Sequence, residues 1–152
     1  MKKISLTQGK YTLVDDQDYN SLSQFRWHYA NGKAVRCEKG KTIFMHREIM
    51  NTPKGMDTDH INHLKLDNRR CNLRICTRGE NQMNRRKFIN NTSGYKGVSW
   101  HKATGRWQAN IRKNYKLKCI GYFENVLDAA KAYDESAKSL HGEFAAVNRE
   151  GI

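Results

Sequence analysis

The sequence lacks several features that define whole classes of proteins. It contains a single proline, Pro53, and its four cysteines form no Cys-x-x-Cys pair, so a structural zinc ribbon is not expected. No apolar run is long enough to span a bilayer. Met1-Lys2-Lys3 leads into polar sequence and not into a signal peptide. We therefore expect a cytoplasmic protein that has no membrane contact, no disulfides and no obligate protein partner.

Acidic residues are scarce, and their scarcity is uneven along the chain. There are 28 Lys and Arg residues against 15 Asp and Glu residues, a net charge of +13. This imbalance favours a polyanionic partner, either nucleic acid or an anionic membrane. No acidic residue occurs between Ser93 and Phe123, an interval with seven Lys and Arg residues. From Glu124 to Glu143 the balance reverses, so the positive charge belongs to one element and not to the next.

The stretch from Asp59 to Asn84 has the pattern of a strand, a loop, a second strand and a helix. Leu73 and Ile75 alternate with Arg74 and Cys76, a period of two that is typical of a half-buried strand. Thr77 and Glu80 have the spacing of a capping box at the start of a helix. In that arrangement the helix lies back against the hairpin.

The helix would then bring Asn81 towards Asp59, so that the two side chains share one small cation. Both residues offer hard oxygen ligands, which suit Mg²⁺ (or Mn²⁺) better than zinc. His60, next to Asp59, could act as a base, because a neutral imidazole accepts a proton from water near neutral pH.

This stretch resembles the HNH homing-endonuclease family in the form common in phage genomes. The residues that carry the resemblance lie between His46 and Asn84: His46-Arg47, Asp59-His60, Asp67-Asn68-Arg69, Asn72-Leu73-Arg74 and Glu80-Asn81. The resemblance implies a ββα-metal fold around one divalent cation. It also implies that His60 is the general base, that Asp59 and Asn81 are metal ligands, and that Asn72 braces the loop after His60.

Other residues of the stretch have plainer interpretations. His63 stands where many relatives carry glycine, so we treat it as incidental to catalysis, and we expect His46 to pack or to contact the DNA backbone. A zinc set of Cys71, Cys76, His60 and His63 is an alternative. It ranks below the oxygen ligands, because Cys76 falls inside a strand like a small buried apolar group.

The regions before and after the nuclease motif divide the chain into parts. Residues 1–45 form a predicted β-rich lead-in whose simplest role is to support the nuclease hairpin. Within it, Asp15-Asp16 could cap a short helix that runs to Phe25, residues Phe25, Trp27 and Tyr29 should pack as one face, and Glu38-Lys39-Gly40-Lys41 indicates a hairpin turn. Residues 46–87 form the predicted HNH module. A polar, turn-rich linker is predicted at 88–93, and a second domain at 94–150. Arg85, Arg86 and Lys87 could follow a DNA backbone or form a solvated helix end.

The last part of the chain predicts a three-stranded antiparallel sheet packed on one helix, so the whole chain is assigned to the α+β class. Trp107, Ala109 and Ile111 alternate with polar residues and should face the helix. Ala130, Tyr133, Ala137 and Leu140 form the matching helical stripe, and Gly142 ends it. The opposite sheet face carries cations and amides, which can reach phosphates and base edges.

This part resembles the plant Apetala/ethylene-response-factor DNA-binding domain over Ser93 to Asn148. Matching segments include Gly94-Tyr95-Lys96-Gly97-Val98, Ala109-Asn110-Ile111-Arg112 and His141-Gly142-Glu143-Phe144. That family reads the major groove with its sheet, which implies nine DNA contacts here: Lys96, Ser99, His101, Lys102, Arg106, Gln108, Asn110, Arg112 and Lys118. Several positions that are arginine in the plant members are Ser99, His101 or lysine in this sequence.

The two parts together predict an endonuclease that hydrolyses phosphodiester bonds in double-stranded DNA. A phage or mobile-element origin would place it in the bacterial host cytosol. The competing hypothesis is a DNA-binding regulator whose nuclease module has decayed. A weaker alternative is an RNA-binding or RNA-cleaving protein. It is disfavoured because the sheet is predicted to lack exposed aromatic residues for stacking on unpaired bases, with Trp100 and Trp107 in the core.

Overall fold

A computed structural model of the protein describes residues 1–113 and 116–148, without the side chain of residue 113. It contains two compact units, Met1–Asn81 and Gln82–Ile152. Small antiparallel sheets and short helices make up both units, which confirms the predicted α+β class. The domain limits proposed from the sequence remain predictions, and the last two residues of the range 94–150 lie outside the described part.

The first half of unit 1 consists of two small sheets and a helix. Strands β1 (Lys2–Ser5) and β2 (Tyr11–Val14) form a hairpin, followed by helix α1 (Asp16–Leu22). Strands β3 (His28–Ala30), β4 (Lys33–Glu38) and β5 (Lys41–Phe44) form an antiparallel meander. The predicted β4–β5 hairpin is confirmed, and its turn residues Lys39 and Gly40 have φ values of 48° and 74°.

The second half of unit 1 contains the strand–loop–strand–helix pattern predicted from the sequence. Helix α2 (Met45–Ile49) precedes strand β6 (Asp57–His60), which pairs antiparallel with strand β7 (Leu73–Cys76). Helix α3 (Arg78–Met83) follows at once. Asp59 therefore lies opposite Arg74, and His60, the last residue of β6, lies opposite Leu73.

One hydrophobic core runs through unit 1. Most of its buried residues come from the N-terminal 45 residues, and they pack with α2 and β7: Ile4, Leu6, Val14, Leu22, Trp27, Ala34, Met45, Ile49 and Leu73. The N-terminal region therefore forms much of the core on which the β6–β7 hairpin rests.

Three local predictions for this region were wrong. Phe25 does not share a buried face with Trp27, because it is 42% exposed and stacks under the Arg36 guanidinium at 4.1 Å. Asp15 does not cap α1 through its side chain, since its Oδ2 accepts a hydrogen bond from the Arg70 backbone N–H at 2.7 Å. Helix α1 also ends at Leu22, three residues before the predicted limit.

Unit 2 is a three-stranded antiparallel sheet covered on one face by a helix, as predicted. Strands β8 (Val98–His101), β9 (Arg106–Lys113) and β10 (Lys116–Phe123) have the order β10-β9-β8. Helix α4 (Val126–His141) ends at Gly142, where φ is 54°. Side chains of α4 pack on the buried side of the sheet in two clusters: Ala129 and Ala130 with Val98 and Ala109, and Ala137 and Tyr133 with Ile111.

Trp100 corrects the predicted core of unit 2. Its side chain is 47% exposed, because it lies on the edge strand β8, with its ring edge-on to Trp107 at 5.1 Å.

Within residues 1–113 and 116–148, the helices are all too short or too polar to traverse a bilayer.

Candidate nuclease centre and nucleic-acid interface

Asp59 lies near the end of β6 and is held by an ion pair across the hairpin. Its Oδ2 accepts hydrogen bonds from Arg74 Nη2 at 2.8 Å and Arg74 Nε at 3.1 Å. The pairing follows from the register that places the two residues opposite each other. Only 8% of Asp59 is exposed, so its carboxylate is fixed in one orientation.

His60 is buried beside Asn68 and His46. Its Nε2 lies 3.0 Å from Asn68 Oδ1, and its ring centre lies 5.0 Å from that of His46. Burial lowers the pKa of His60 below the ordinary value of 6.5, and the Asn68 hydrogen bond and the Asp59 charge partly oppose this effect. The imidazole is therefore neutral at neutral pH.

Asn81 is brought to the same strand by helix α3. Its Nδ2 donates to Asp57 Oδ2 at 3.0 Å. Asp57 and Asp59 are two residues apart on β6 and so project from the same face of the strand. The helix begins with the predicted capping box, in which the Glu80 N–H donates to Thr77 Oγ1 and the Thr77 N–H donates to Glu80 Oε2.

Asn72 spans the loop that follows His60. Its Oδ1 accepts from the Asn62 N–H at 2.9 Å, and its Nδ2 donates to the Asp67 carbonyl at 2.8 Å. The Asn72 carbonyl also accepts from the Ile61 N–H. The side chain and backbone of Asn72 thus join the two ends of the loop immediately after His60.

The rest of the loop is stabilised by an internal ion pair. Arg69 donates through Nε and Nη2 to the two carboxylate oxygens of Asp67, each at 2.7 Å, and this pair lowers the pKa of Asp67. His63 lies in the same loop with a φ of 65°, a left-handed conformation that glycine adopts most easily. The glycine that the resemblance implies at this position would adopt the same conformation more easily.

Three cations lie near one another beside the histidine pair: Lys33 from β4, Arg47 from α2 and Lys65 from the loop after His60. Lys33 lies 5.3 Å from the centre of the Phe44 ring, which in turn lies 5.6 Å from His46. Burial lowers the pKa of Lys33, and the positive charges of Lys65 and Arg47 add to this effect. Such a concentration of cations beside His60 favours a phosphate ligand.

The zinc alternative has no ligand set in the structure. Cys71 is exposed, whereas Cys76 is buried with its thiol directed at the Asp57 carbonyl. Burial raises the pKa of Cys76 to about 11, which disfavours the thiolate that zinc requires. Among the described residues, no cluster of three or more His, Cys, Asp or Glu side chains could hold a metal ion.

In unit 2, the sheet face opposite α4 is polar and accessible. We call it the open face. Cross-strand pairs bring Ser99 opposite Gln108, His101 opposite Arg106, and Asn110 opposite Cys119. Six of the nine sheet-domain residues predicted to contact DNA lie on this face: Ser99, His101, Arg106, Gln108, Asn110 and Arg112.

The open face also carries an aromatic residue that the sequence pattern did not indicate. Tyr122 is 42% exposed, lies edge-on to His101 at 5.0 Å and accepts a hydrogen bond from Gln108 Nε2 at 3.0 Å. A register shift between Cys119 and Gly121 places it there. The prediction that the sheet lacks exposed aromatic residues was therefore wrong.

The other three predicted contacts of this domain lie off the open face. Lys96 donates from Nζ to the Met83 carbonyl at 2.6 Å, and burial lowers its pKa to about 8. Lys118 lies opposite the buried Ile111 and therefore on the helix side of the sheet. Lys102 is exposed in the β8–β9 turn.

The three cations that follow α3 are exposed in a segment without regular structure. Lys87 donates from Nζ to the Gly94 carbonyl at 2.6 Å, and the Arg85 guanidinium lies 5.2 Å from the Phe88 ring centre. Arg86 is exposed between them. These residues therefore lie beyond the end of the helix.

Sequence reasoning missed four residues that contact the predicted centre. Asn68 contacts His60, Arg74 binds Asp59, Asp57 binds Asn81, and Thr12 binds Asn68. Asn68 and Arg74 were part of the quoted motifs, but their partners were not apparent. Thr12 carries no local signal, since it is 56 residues away from Asn68 in the chain.

Comparisons with known proteins identify the family to which this chain belongs. The HNH endonuclease family profile matches residues 51–83. An uncharacterized HNH endonuclease of Acanthamoeba polyphaga mimivirus is 30% identical over 149 residues, covering 93% of this chain and 76% of that protein. Protein 3.8 of Escherichia phage T7 is 32% identical over 93 residues, covering 61% of this chain and 76% of that protein. The chain therefore belongs to the HNH endonuclease family.

A further similarity concerns a smaller part of the chain. An AP2-like ethylene-responsive transcription factor, TOE2 of Arabidopsis thaliana, is 37% identical over 57 residues, which is 38% of this chain and 12% of the plant protein. This partial similarity supports a DNA-binding domain, and together with the nuclease family it points to DNA as the substrate. No solved structure matches the chain.

Proposed function

We propose that the protein is a divalent-metal-dependent endonuclease for double-stranded DNA, of the phage and mobile-element homing type. In this proposal His60 is the general base, Asp59 and Asn81 hold Mg²⁺ or Mn²⁺, and Asn72 braces the loop. The observation that carries it is that one four-residue strand holds both Asp59 and His60. The same strand holds Asp57, whose carboxylate binds Asn81.

The residues present fit a hard cation. The Asn81 amide nitrogen is engaged by Asp57, so its Oδ1 is the atom that we assign to the metal. A carboxylate has about four acceptor positions and so can accept from Arg74 and also bind a cation, and we assign the Asp59 carboxylate as the second ligand. One carboxylate and one amide suit Mg²⁺, which usually retains several waters and binds phosphate oxygens. When bound, the cation would neutralise phosphate charge and stabilise the leaving oxygen.

The protein's own residues would do the remaining work. The neutral His60 imidazole would accept the proton of the attacking water. Asn72 would keep His60 in place through the loop ends that it joins. Lys33, Arg47 and Lys65 would attract and position the DNA backbone beside His60.

Cleavage and binding assays on the same protein test the general base. We expect His60→Ala to lower cleavage of supercoiled plasmid by about 10²–10⁴-fold, the usual contribution of a general base, with DNA binding mostly retained. The matched control is His28→Ala, which removes an exposed histidine of unit 1. Normal cleavage by His60→Ala would rule out this assignment.

We also propose that unit 2 is an Apetala-type domain that binds duplex DNA through the open face. Arg106 and Arg112 would contact phosphates or guanine, and Gln108 and Asn110 would contact adenine. Ser99, His101 and Lys102 would add contacts at the β8–β9 end, and Arg85, Arg86 and Lys87 along the backbone. Lys96 and Lys118, which lie off the face, would contribute only indirectly.

The salt dependence of binding to a duplex tests this face. Arg112→Gln should weaken binding and reduce the slope of log K against log salt by about 1, as expected for one lost phosphate contact. Lys131→Gln, which removes an exposed cation of α4, is the matched control and should leave the slope unchanged.

The exposed Tyr122 favours the alternative of an RNA-binding or RNA-cleaving protein, since aromatic side chains stack on the unpaired bases of a single strand. Competition between a duplex and a single strand of the same length separates the two. Preference for the duplex supports the proposal, and preference for the single strand contradicts it.

A further inference from the structure

Asn68 is the most deeply buried polar residue next to His60. It has no exposed surface, and its Oδ1 lies 3.0 Å from His60 Nε2. The other end of the amide, Nδ2, lies 2.8 Å from Thr12 Oγ1 and 3.7 Å from Met45 Sδ. Thr12 is equally buried, so this chain of hydrogen bonds has no access to water.

The direction of the hydrogen bonds is determined at the Thr12 end. The Thr12 hydroxyl lies 2.8 Å from the Leu66 carbonyl, which can only accept. Since a hydroxyl has one proton, Thr12 Oγ1 must accept from its other neighbour, Asn68. The amide nitrogen of Asn68 therefore faces Thr12, and its oxygen faces His60.

An oxygen at that position requires a donor on the histidine. His60 Nε2 must then carry the imidazole proton, and Nδ1 carries the lone pair. The opposite amide orientation would place the Asn68 oxygen at Thr12 and leave a buried oxygen without a donor. A buried oxygen in that position could not recover the lost hydrogen bond from water, so this orientation is disfavoured.

We propose that Thr12 and Asn68 are positioning residues that fix His60 as its Nε2–H tautomer, so that Nδ1 is the atom that accepts the proton from water. The inference rests on the proposed role of His60 as the general base. It also gives the N-terminal region a part in the chemistry beyond its share of the core.

The backbone around these side chains is equally constrained. The Leu13 N–H donates to the Leu66 carbonyl, and the Asn68 N–H donates to the Leu13 carbonyl, each at 2.8 Å. Strand β2 thus pairs with the active-site loop as a short parallel bridge between Leu13 and Asp67. This pairing fixes the position of Thr12 relative to Asn68 independently of their side chains.

The test is nitrogen-15 NMR of the His60 imidazole in the full-length protein, together with steady-state cleavage. The wild type should show a protonated Nε2 and an unprotonated Nδ1. Thr12→Val keeps the side-chain shape but removes the proton that orients Asn68. We expect a mixture of tautomers and a fall in kcat of about tenfold, within the contribution of a general base, with KM unchanged.

Thr12→Ser restores the hydroxyl and should restore both the tautomer and kcat, which a purely structural role of the Thr12 methyl would not predict. If Thr12→Val fails to fold, Asn68→Asp keeps an acceptor at His60 and should retain the Nε2–H tautomer. A wild-type imidazole protonated on Nδ1 would overturn the inference, as would an unchanged tautomer and kcat in Thr12→Val. Failure of the general-base proposal is distinguishable, because it would appear as full cleavage by His60→Ala.

Discussion

At the residue scale, His46 shows how burial determines protonation near the nuclease centre. Its side chain is 4% exposed and packs between the rings of Phe44 and His60. Burial lowers the pKa of His46 to about 3, and the positive charges of Lys33 and Arg47 and the neighbouring His60 contribute in the same direction. The residue packs, which is one of the two roles expected from the sequence.

This shift predicts a pH-dependent stability. Between about pH 6.5 and about pH 3, the unfolded His46 binds a proton that the folded one does not, so stability falls as the pH falls below 6.5. The loss from this residue is at most about 1.4 kcal/mol per pH unit. Urea unfolding at about pH 7 and about pH 5 measures it, and His46→Gln should show a smaller loss than the wild type. His28→Gln should lose as much stability between these two pH values as the wild type does. Equal losses in all three proteins would contradict the prediction.

The sequence predicted single residues best where a motif fixes their order. Asp59, His60, Asn72 and Asn81 all lie on the hairpin, loop and helix that the pattern indicates, although their roles remain proposals. Thr12 could not be found in this way, because its contact with Asn68 depends on a pairing between β2 and a distant loop. Trp100 was misplaced because alternation gives the side of a strand but not its position at a sheet edge.

At the element scale, helix α3 depends strongly on its cap. It has only six residues, too few to be stable without tertiary contacts or a cap. The spacing of Thr77 and Glu80 predicted the cap, because its hydrogen bonds are local. The same reasoning failed for Asp15, whose carboxylate binds the distant Arg70 backbone instead.

Removal of this cap should affect stability and cleavage together. Thr77→Ala should lower the free energy of unfolding by about 1 kcal/mol, because the Glu80 N–H loses its acceptor. Cleavage should fall more than DNA binding, since α3 carries Asn81. Unfolding curves and plasmid assays measure both, and Thr77→Ser serves as the control. Loss of stability with unchanged cleavage would show that α3 does not position Asn81.

Gly97, just before β8, lies very close to helix α4, and the packing of unit 2 depends on this close approach. A Cβ at this position would overlap the Tyr133 ring and approach the Asn110 carbonyl to 2.8 Å, and φ is +77°. Gly97→Ala should therefore destabilise unit 2 by about 1–3 kcal/mol through overpacking, in addition to the cost of the left-handed conformation.

Gly94→Ala separates the two effects. Gly94 has a φ of +81°, but no described atom lies within 4 Å of the place that a Cβ would take, so it bears the conformational cost alone. DNA affinity and the melting temperature should both fall much more in Gly97→Ala than in Gly94→Ala. Equal effects would mean that the Tyr133 contact is unimportant.

At the scale of the whole molecule, the charge pattern was the most informative property of the sequence. The acid-free interval became β8 to β10 with their cationic open face, and the acidic interval became α4. The lead-in could not be interpreted in this way, because its role depends on a core that joins β1–β5 to α2 and β7. Support of the nuclease hairpin was only the simplest role that the sequence suggested for residues 1–45, and packing shows which of them form the core beneath that hairpin.

The central claim is that the Asp59–Asn81 site works with a divalent cation, and supercoiled plasmid tests it most directly. We expect nicked or linear product with Mg²⁺, no product with excess EDTA, and recovery when Mg²⁺ is restored. Asn81→Leu should require more Mg²⁺ than the wild type for the same rate. Undiminished cleavage in EDTA would contradict the claim, and so would stable DNA binding without cleavage in Mg²⁺ or Mn²⁺.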